Sequence, residues 1–180
     1  MSREVVTHPL ATCPAIVVGK ARDPDGGVGN TGEMRLMAPT VIEDITSRCV
    51  AECVRQGVGV DAVGRLLVAY NYALDRAAQL PTEHDVLEIA KLVDPWTQGT
   101  YRSTPVTFDD GGSGTDWREV PDAMHRLFGA LDFGAEPAGV VRSFLRIHSF
   151  TDGNGRLAFV LYNWSNQTLL SPAPLPAFRW

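Results

Sequence analysis

The sequence predicts an all-α fold carrying one small β-hairpin flap. Three observations support this. Apolar residues recur at spacings of three and four in six separate stretches between Thr40 and Leu169. Residues 99–118 alone switch to apolar–polar alternation around a turn signal, Asp110-Gly111. A chain of 180 residues with 44% hydrophobic content is enough for one ordinary core.

Residues 1–39 show little helical periodicity and read as an irregular N-terminal extension. Within it, Ala15 to Val18 suit a short strand, and the Gly/Pro/Asp content of residues 23–32 suits a loop. From Thr40 the pattern changes. Ile42, Ile45, Cys49 and Cys53 share one helical face, which Gly57 and Gly59 end. A second helix aligns Val60, Val63, Leu67, Tyr70 and Leu74 in a stripe, with Asp61 near its start. Pro81 breaks it, and Thr82 with Glu83 and Asp85 opens a third helix reaching Val93. In the flap, Val106 and Phe108 alternate with polar residues. Helical spacing returns over residues 121–131 and 137–147. A last helix is expected over residues 154–169, its stripe made by Leu157, Val160, Leu161 and Trp164. The chain thus divides into the extension, a helical domain over residues 40–170 and a proline-rich tail, residues 171–180, expected as an extended arm.

Composition excludes several classes of function. Sixteen basic and 21 acidic residues leave a net charge of −5, against a nucleic-acid binder that lives by neutralising phosphates. No run of 18 apolar residues exists to span a membrane, and the opening MSREVVTHPL has no signal-peptide pattern, so a cytoplasmic protein is expected. Three cysteines without metal-ligand spacing suit neither a disulfide scaffold nor a zinc module. Residues 27–32 match GxGxxG, but Lys20 to Gly26 separate them from the nearest strand and Pro39 delays a helix, so a loop is the reading. Cys49 and Cys53 read as core thiols, Cys13 is uninformative, Trp96 reads as packing at a helix end, and His8, His84 and His125 read as surface or helix-cap residues.

The chemistry is concentrated in Ile147 to Arg156, IHSFTDGNGR, between two predicted helices. A helix start exposes unpaired backbone N–H groups and the positive end of the helix dipole. Gly153 and Gly155 let a bound group approach the backbone closely, and Arg156 offers a planar cation for phosphate. Asp152 is a hard oxygen ligand suited to Mg²⁺ held against phosphates. His148 has the pKa of a base near neutrality, and Phe150 would turn inward to pin the loop. A base, a metal ligand and an anion cradle are the parts of phosphoryl or nucleotidyl transfer.

This stretch resembles the signature of the Fic/Doc family, HxFx(D/E)GNGRxxR, at His148, Phe150, Asp152, Gly153, Asn154, Gly155 and Arg156. TYRSTPVTF with REVPDAMHRLFGAL is similar to the family's flap and following helix, and VRSFLRIH to the helix leading into the motif, so the likeness covers about residues 80–170. The resemblance implies a mainly helical Fic-like fold and Mg²⁺-dependent transfer of AMP from ATP to a Ser, Thr or Tyr hydroxyl of a target protein. It implies that His148 deprotonates that hydroxyl and that Asp152 binds Mg²⁺. Gly153, Asn154 and Gly155 would form the anion hole, with Arg156 on the phosphates. The flap around Thr104, Val106 and Phe108 would pair with the target as an added strand. Small proteins of this kind are often toxins or effectors, acting in their own or a host cytoplasm.

One motif position departs. Where the family has a second arginine, which contacts the γ-phosphate, this chain has Phe159. The resemblance then leaves open a donor other than ATP (moving UMP, GMP, phosphocholine or phosphate), a domain that binds nucleotide without turnover, or compensation by Arg102, Arg142 or Arg146. No glutamate is followed by Gly or Asn, so the family's inhibitory signature (S/T)xxxE(G/N) is missing, and any inhibitor is expected to be a separate antitoxin-like partner. Gly155 stands where the phosphorylating Doc branch has lysine, which favours nucleotidyl transfer.

Overall fold

Every one of the six apolar stretches forms a helix in the computed structural model, which describes residues 37–108 and 111–178. They are α1 (Pro39–Arg55), α2 (Val60–Leu74), α3 (Glu83–Val93), α4 (Val120–Asp132), α5 (Pro137–Ile147) and α6 (Asn154–Ser165), with a single 3-10 turn at Pro95–Thr97. Proline opens α1, α4 and α5, where its missing N–H removes no intrahelical bond. Thr82 and Asp85 form a reciprocal capping box on α3: the Asp85 N–H donates to Thr82 Oγ1 at 3.2 Å, and the Thr82 N–H to Asp85 Oδ2 at 2.9 Å.

Ten of the twelve residues of α6 are buried, which makes it the central helix. α1, α2, α3 and α5 all pack on it. Its Trp164 donates its indole N–H to the Gln79 carbonyl at 2.7 Å, and the Tyr70 hydroxyl donates to the Leu169 carbonyl at 3.0 Å, so these large buried rings satisfy their polar atoms. Cys49 and Cys53 lie fully buried, and burial pushes the Cys49 thiol up to about 12, well away from thiolate chemistry. Among the described residues no helix is long and apolar enough to cross a membrane.

Four expectations need correction. The buried face of α2 is Ala62, Leu66, Ala69, Tyr70, Ala73 and Leu74, while Val60 is 82% exposed and Val63 and Leu67 are half-buried. Alanines win because α1, α3 and α6 all approach this helix, and small side chains permit that. The last helix stops at Ser165 rather than 169. There Gln167 takes a left-handed φ of 58°, and the Asn163 side chain accepts from Thr168 Oγ1 (2.9 Å) and the Ala173 N–H (2.8 Å) while donating to the Ala173 carbonyl. The flap is less than a hairpin: Thr107 and Ser113 form an isolated antiparallel bridge, with no ladder among the described residues. Pro105 lacks a donor and the Gly-rich return offers few side chains for pairing. Trp96 does not pack; it is 93% exposed on the 3-10 turn. The readings placed on residues 1–36 (the strand, the GxGxxG loop, His8 and Cys13), and Asp110 of the turn signal, lie outside the described residues.

Candidate active site

Helix α5 ends on His148, whose φ of 53° and ψ of 62° place it in the left-handed region normally left to glycine. A non-glycine residue there costs about 1–3 kcal/mol and persists only when its surroundings impose it. Three features do so. Phe150 is fully buried, its ring 5.7 Å from Tyr101 and 6.5 Å from Phe144, and pins the loop inward as expected. The Asn154 side chain, also buried, accepts from the Phe150 N–H at 3.1 Å and donates to the Phe150 carbonyl at 2.7 Å. Gly153 then opens α6 at φ 79°, where a Cβ would come within 2.9 Å of Val93 Cγ1. No side chain caps α6, so the backbone N–H groups of its first turn face the loop without a capping partner.

The third support is Arg102. This guanidinium is 5% exposed and, among the described residues, bonded to carbonyls alone. Nε donates to His148 O at 2.6 Å, Nη1 to Thr104 O at 2.7 Å, and Nη2 to Ile147 O at 3.3 Å and to Thr115 O. Its backbone N–H adds a bond to Ser149 O at 2.9 Å. One cation thereby satisfies the last carbonyls of α5, where the helix dipole is negative, and ties both feet of the flap to the motif loop. Arg102 is therefore not free to compensate for Phe159.

Against this frame His148 is half-buried, and Phe108 meets its ring edge-to-face at 5.1 Å between centroids. Burial holds the imidazole below its ordinary pKa of 6.5; a backbone hydrogen bond with Leu145 opposes this, and the Arg102 charge assists it. The ring is thus neutral near pH 7, the form that accepts a proton. Asp152 accepts from the Gly153 N–H at 2.6 Å through Oδ1 and from Arg156 Nη2 at 3.0 Å through Oδ2. Its carboxylate stays 69% exposed. Among the described residues no group of three or more metal-binding side chains exists. One accessible carboxylate with no protein cage still fits Mg²⁺, which commonly takes one or two carboxylates plus substrate phosphates. Arg156 lies inward, 2% exposed, on Asp152 and the Val93 carbonyl (3.4 Å), and its Nε has no partner among the described residues.

A cavity of about 690 Å³ opens at the loop. His148, Gly155, Phe108 and Leu145 form part of its wall, as do Arg55 and Gln56 from the end of α1 and Leu175 to Phe178 from the tail. Gln56 touches the glycine directly, since a Cβ on Gly155 would meet its carboxamide at 2.9 Å. The structure brings together His148, Gly155 and Phe108; Asn154 braces the loop, the Thr104 carbonyl holds Arg102, and Val106 is half-buried in the flap. Sequence reasoning missed Arg55, Gln56 and the tail. No spacing could reveal them, because they lie about a hundred residues before the motif and some twenty after it. His125, read as a surface residue, is 88% exposed, with Nδ1 3.6 Å from Glu83 Oε2.

A family model described as the Fic/DOC family matches residues 72–165. Among solved structures, a Fic domain containing signaling protein from Bacteroides thetaiotaomicron aligns at 19% identity and a TM-score of 0.51, over 74% of this chain and 68% of that one. Fic-1 from C. elegans aligns at 18% identity and a TM-score of 0.50, over 79% of this chain, which spans 55% of that one. At such identities these two show a shared fold. No curated protein matches the chain in sequence.

Proposed function

The chain belongs to the Fic/DOC family, and on that premise we propose that it is a protein adenylyltransferase, moving AMP from ATP to a hydroxyl side chain of a target protein. The observation that carries this reading is the half-buried His148 imidazole on one cavity wall with Gly155, at the start of α6, which no described side chain caps. His148 takes the proton of the attacking hydroxyl. The hydroxyl oxygen forms a bond to the α-phosphorus, the bond to the bridging oxygen breaks, and pyrophosphate leaves. The N–H groups at Asn154 and Gly155 receive the negative charge, while the Gly153 N–H holds Asp152. Arg156 holds Asp152, the carboxylate that would bind Mg²⁺, and that ion supplies charge neutralisation on the phosphates when bound. Val106 and Phe108 of the flap, with Thr104 at its foot, present the target segment to His148. The target, a separate antitoxin-like inhibitor and a cytoplasmic site of action belong to the same proposal.

The test is incubation with each labelled nucleoside triphosphate in lysate, wild type beside His148→Ala. Loss of a general base typically costs about 10²–10⁴-fold in rate. The expected outcome is a His148-dependent mass addition of one AMP unit. Addition of UMP, GMP, phosphate or phosphocholine would replace the donor, and no label from any donor would refute the transferase. The burial of Phe159, 1% exposed and 5.8 Å from Tyr70, favours one second reading, a domain that holds nucleotide without turnover.

A further inference from the structure

Resting on the transferase reading, we propose that Arg55 is the cation that receives the terminal phosphates of the donor, the task that position 159 does not perform. Phe159 is buried against Tyr70 and brings no charge to the cavity. The other arginines around the motif are committed or elsewhere. Arg102 is bonded to carbonyls on every side, and Arg156 is buried on Asp152. Arg142 stacks over the Phe178 ring at 5.5 Å, and Arg146 is exposed and off the cavity wall. Among the described residues, Arg55 is the one guanidinium lining the cavity that also holds His148 and Gly155.

Arg55 is also preorganised. Glu52, 5% exposed, grips it through Nε at 2.9 Å and Nη2 at 2.5 Å. The same carboxylate accepts from Gln56 Nε2 at 2.6 Å, and the Gln56 carboxamide rests on Gly155. Glu52 thus fixes the end of α1 onto the start of α6 and places the guanidinium beside the cradle, half in solvent at 54% exposure. Among the described residues Glu52 engages its Nε and Nη2 and leaves the Nη1 donors to suit a planar, charge-assisted contact with phosphate oxygens. The tail side of the cavity, Leu175 to Phe178, is apolar, so a polyphosphate has one favourable direction to run, toward α1. Residues 39–55 lie outside the span matched by the family model, so this contact comes from α1 rather than from the matched span.

The test is calorimetric binding of AMP, ADP and ATP to wild type, Arg55→Ala, Arg55→Lys and Arg48→Ala, the last an exposed arginine on the same helix. Wild type should tighten from AMP to ATP. Arg55→Ala should weaken ATP about tenfold or more while leaving AMP nearly unchanged. Arg55→Lys should fall between, and Arg48→Ala should match wild type. Equal weakening of AMP and ATP by Arg55→Ala, no weakening of either, or a comparable effect of Arg48→Ala would overturn the inference while the transferase reading stands. A wild-type protein that neither binds nucleotide nor labels a target refutes both.

Discussion

Replacing Arg102 by methionine should unlatch the flap and the base together. The side chain keeps much of its stem volume but loses every donor. Four carbonyls lose a bond, at Ile147, His148, Thr104 and Thr115. Thr104 is exposed and Thr115 half-exposed, so water replaces much of what those two lose. The Ile147 and His148 carbonyls close a helix end beneath the flap, and a buried acceptor left unmade costs about 1–3 kcal/mol. Burying the guanidinium was itself costly, since burial lowers its pKa, and methionine removes that penalty. The net loss works out at about 2–4 kcal/mol, a large share of the 5–15 kcal/mol typical of a domain. Urea denaturation with linear extrapolation measures it. Arg102→Lys should recover part, because an ammonium keeps the charge but reaches fewer of these carbonyls at once. NMR of the folded methionine variant should show the His148 pKa rising, since the Arg102 charge holds it down. A methionine variant within about 0.5 kcal/mol of wild type, the ordinary range for inconsequential surface changes, would refute the staple.

Three further outcomes follow from the structure. Because burial depresses the His148 pKa, the proton-accepting form persists below 6.5, and the acid limb of kcat/KM should fall at lower pH than for a free imidazole; a limb at or above 6.5 would contradict it. On the stability side, the unfolded chain takes up this proton first as pH falls. His148's contribution is therefore fully present above 6.5 and is lost as pH falls toward the depressed folded value, as acid titration of unfolding would show. Restoring the family's arginine by Phe159→Arg should destabilise the fold by about 3 kcal/mol or more rather than strengthen ATP binding, because that side chain enters the core beside Tyr70. A stable Phe159→Arg protein with tighter ATP binding would be the contrary result.

What was legible in the sequence was local. Helix periodicity, the start of α3 at Thr82 and the IHSFTDGNGR loop each rest on residues within a turn or two of one another. Their physics is that of hydrogen bonds and backbone preferences, which spacing encodes. The inward Phe150 and the core thiols followed from polarity alone. The tertiary structure decided whatever depends on neighbours remote in the chain. The approach of α1, α3 and α6 chose the alanine face of α2, and Asn163 turned the tail back toward the cavity. Arg102, open to reading as a phosphate ligand, proved to be a carbonyl staple, and Arg55 came onto the same cavity wall as His148, 93 residues further along the chain. A charged side chain announces that it needs a partner, but which partner it finds is settled only when packing brings distant segments within bonding distance.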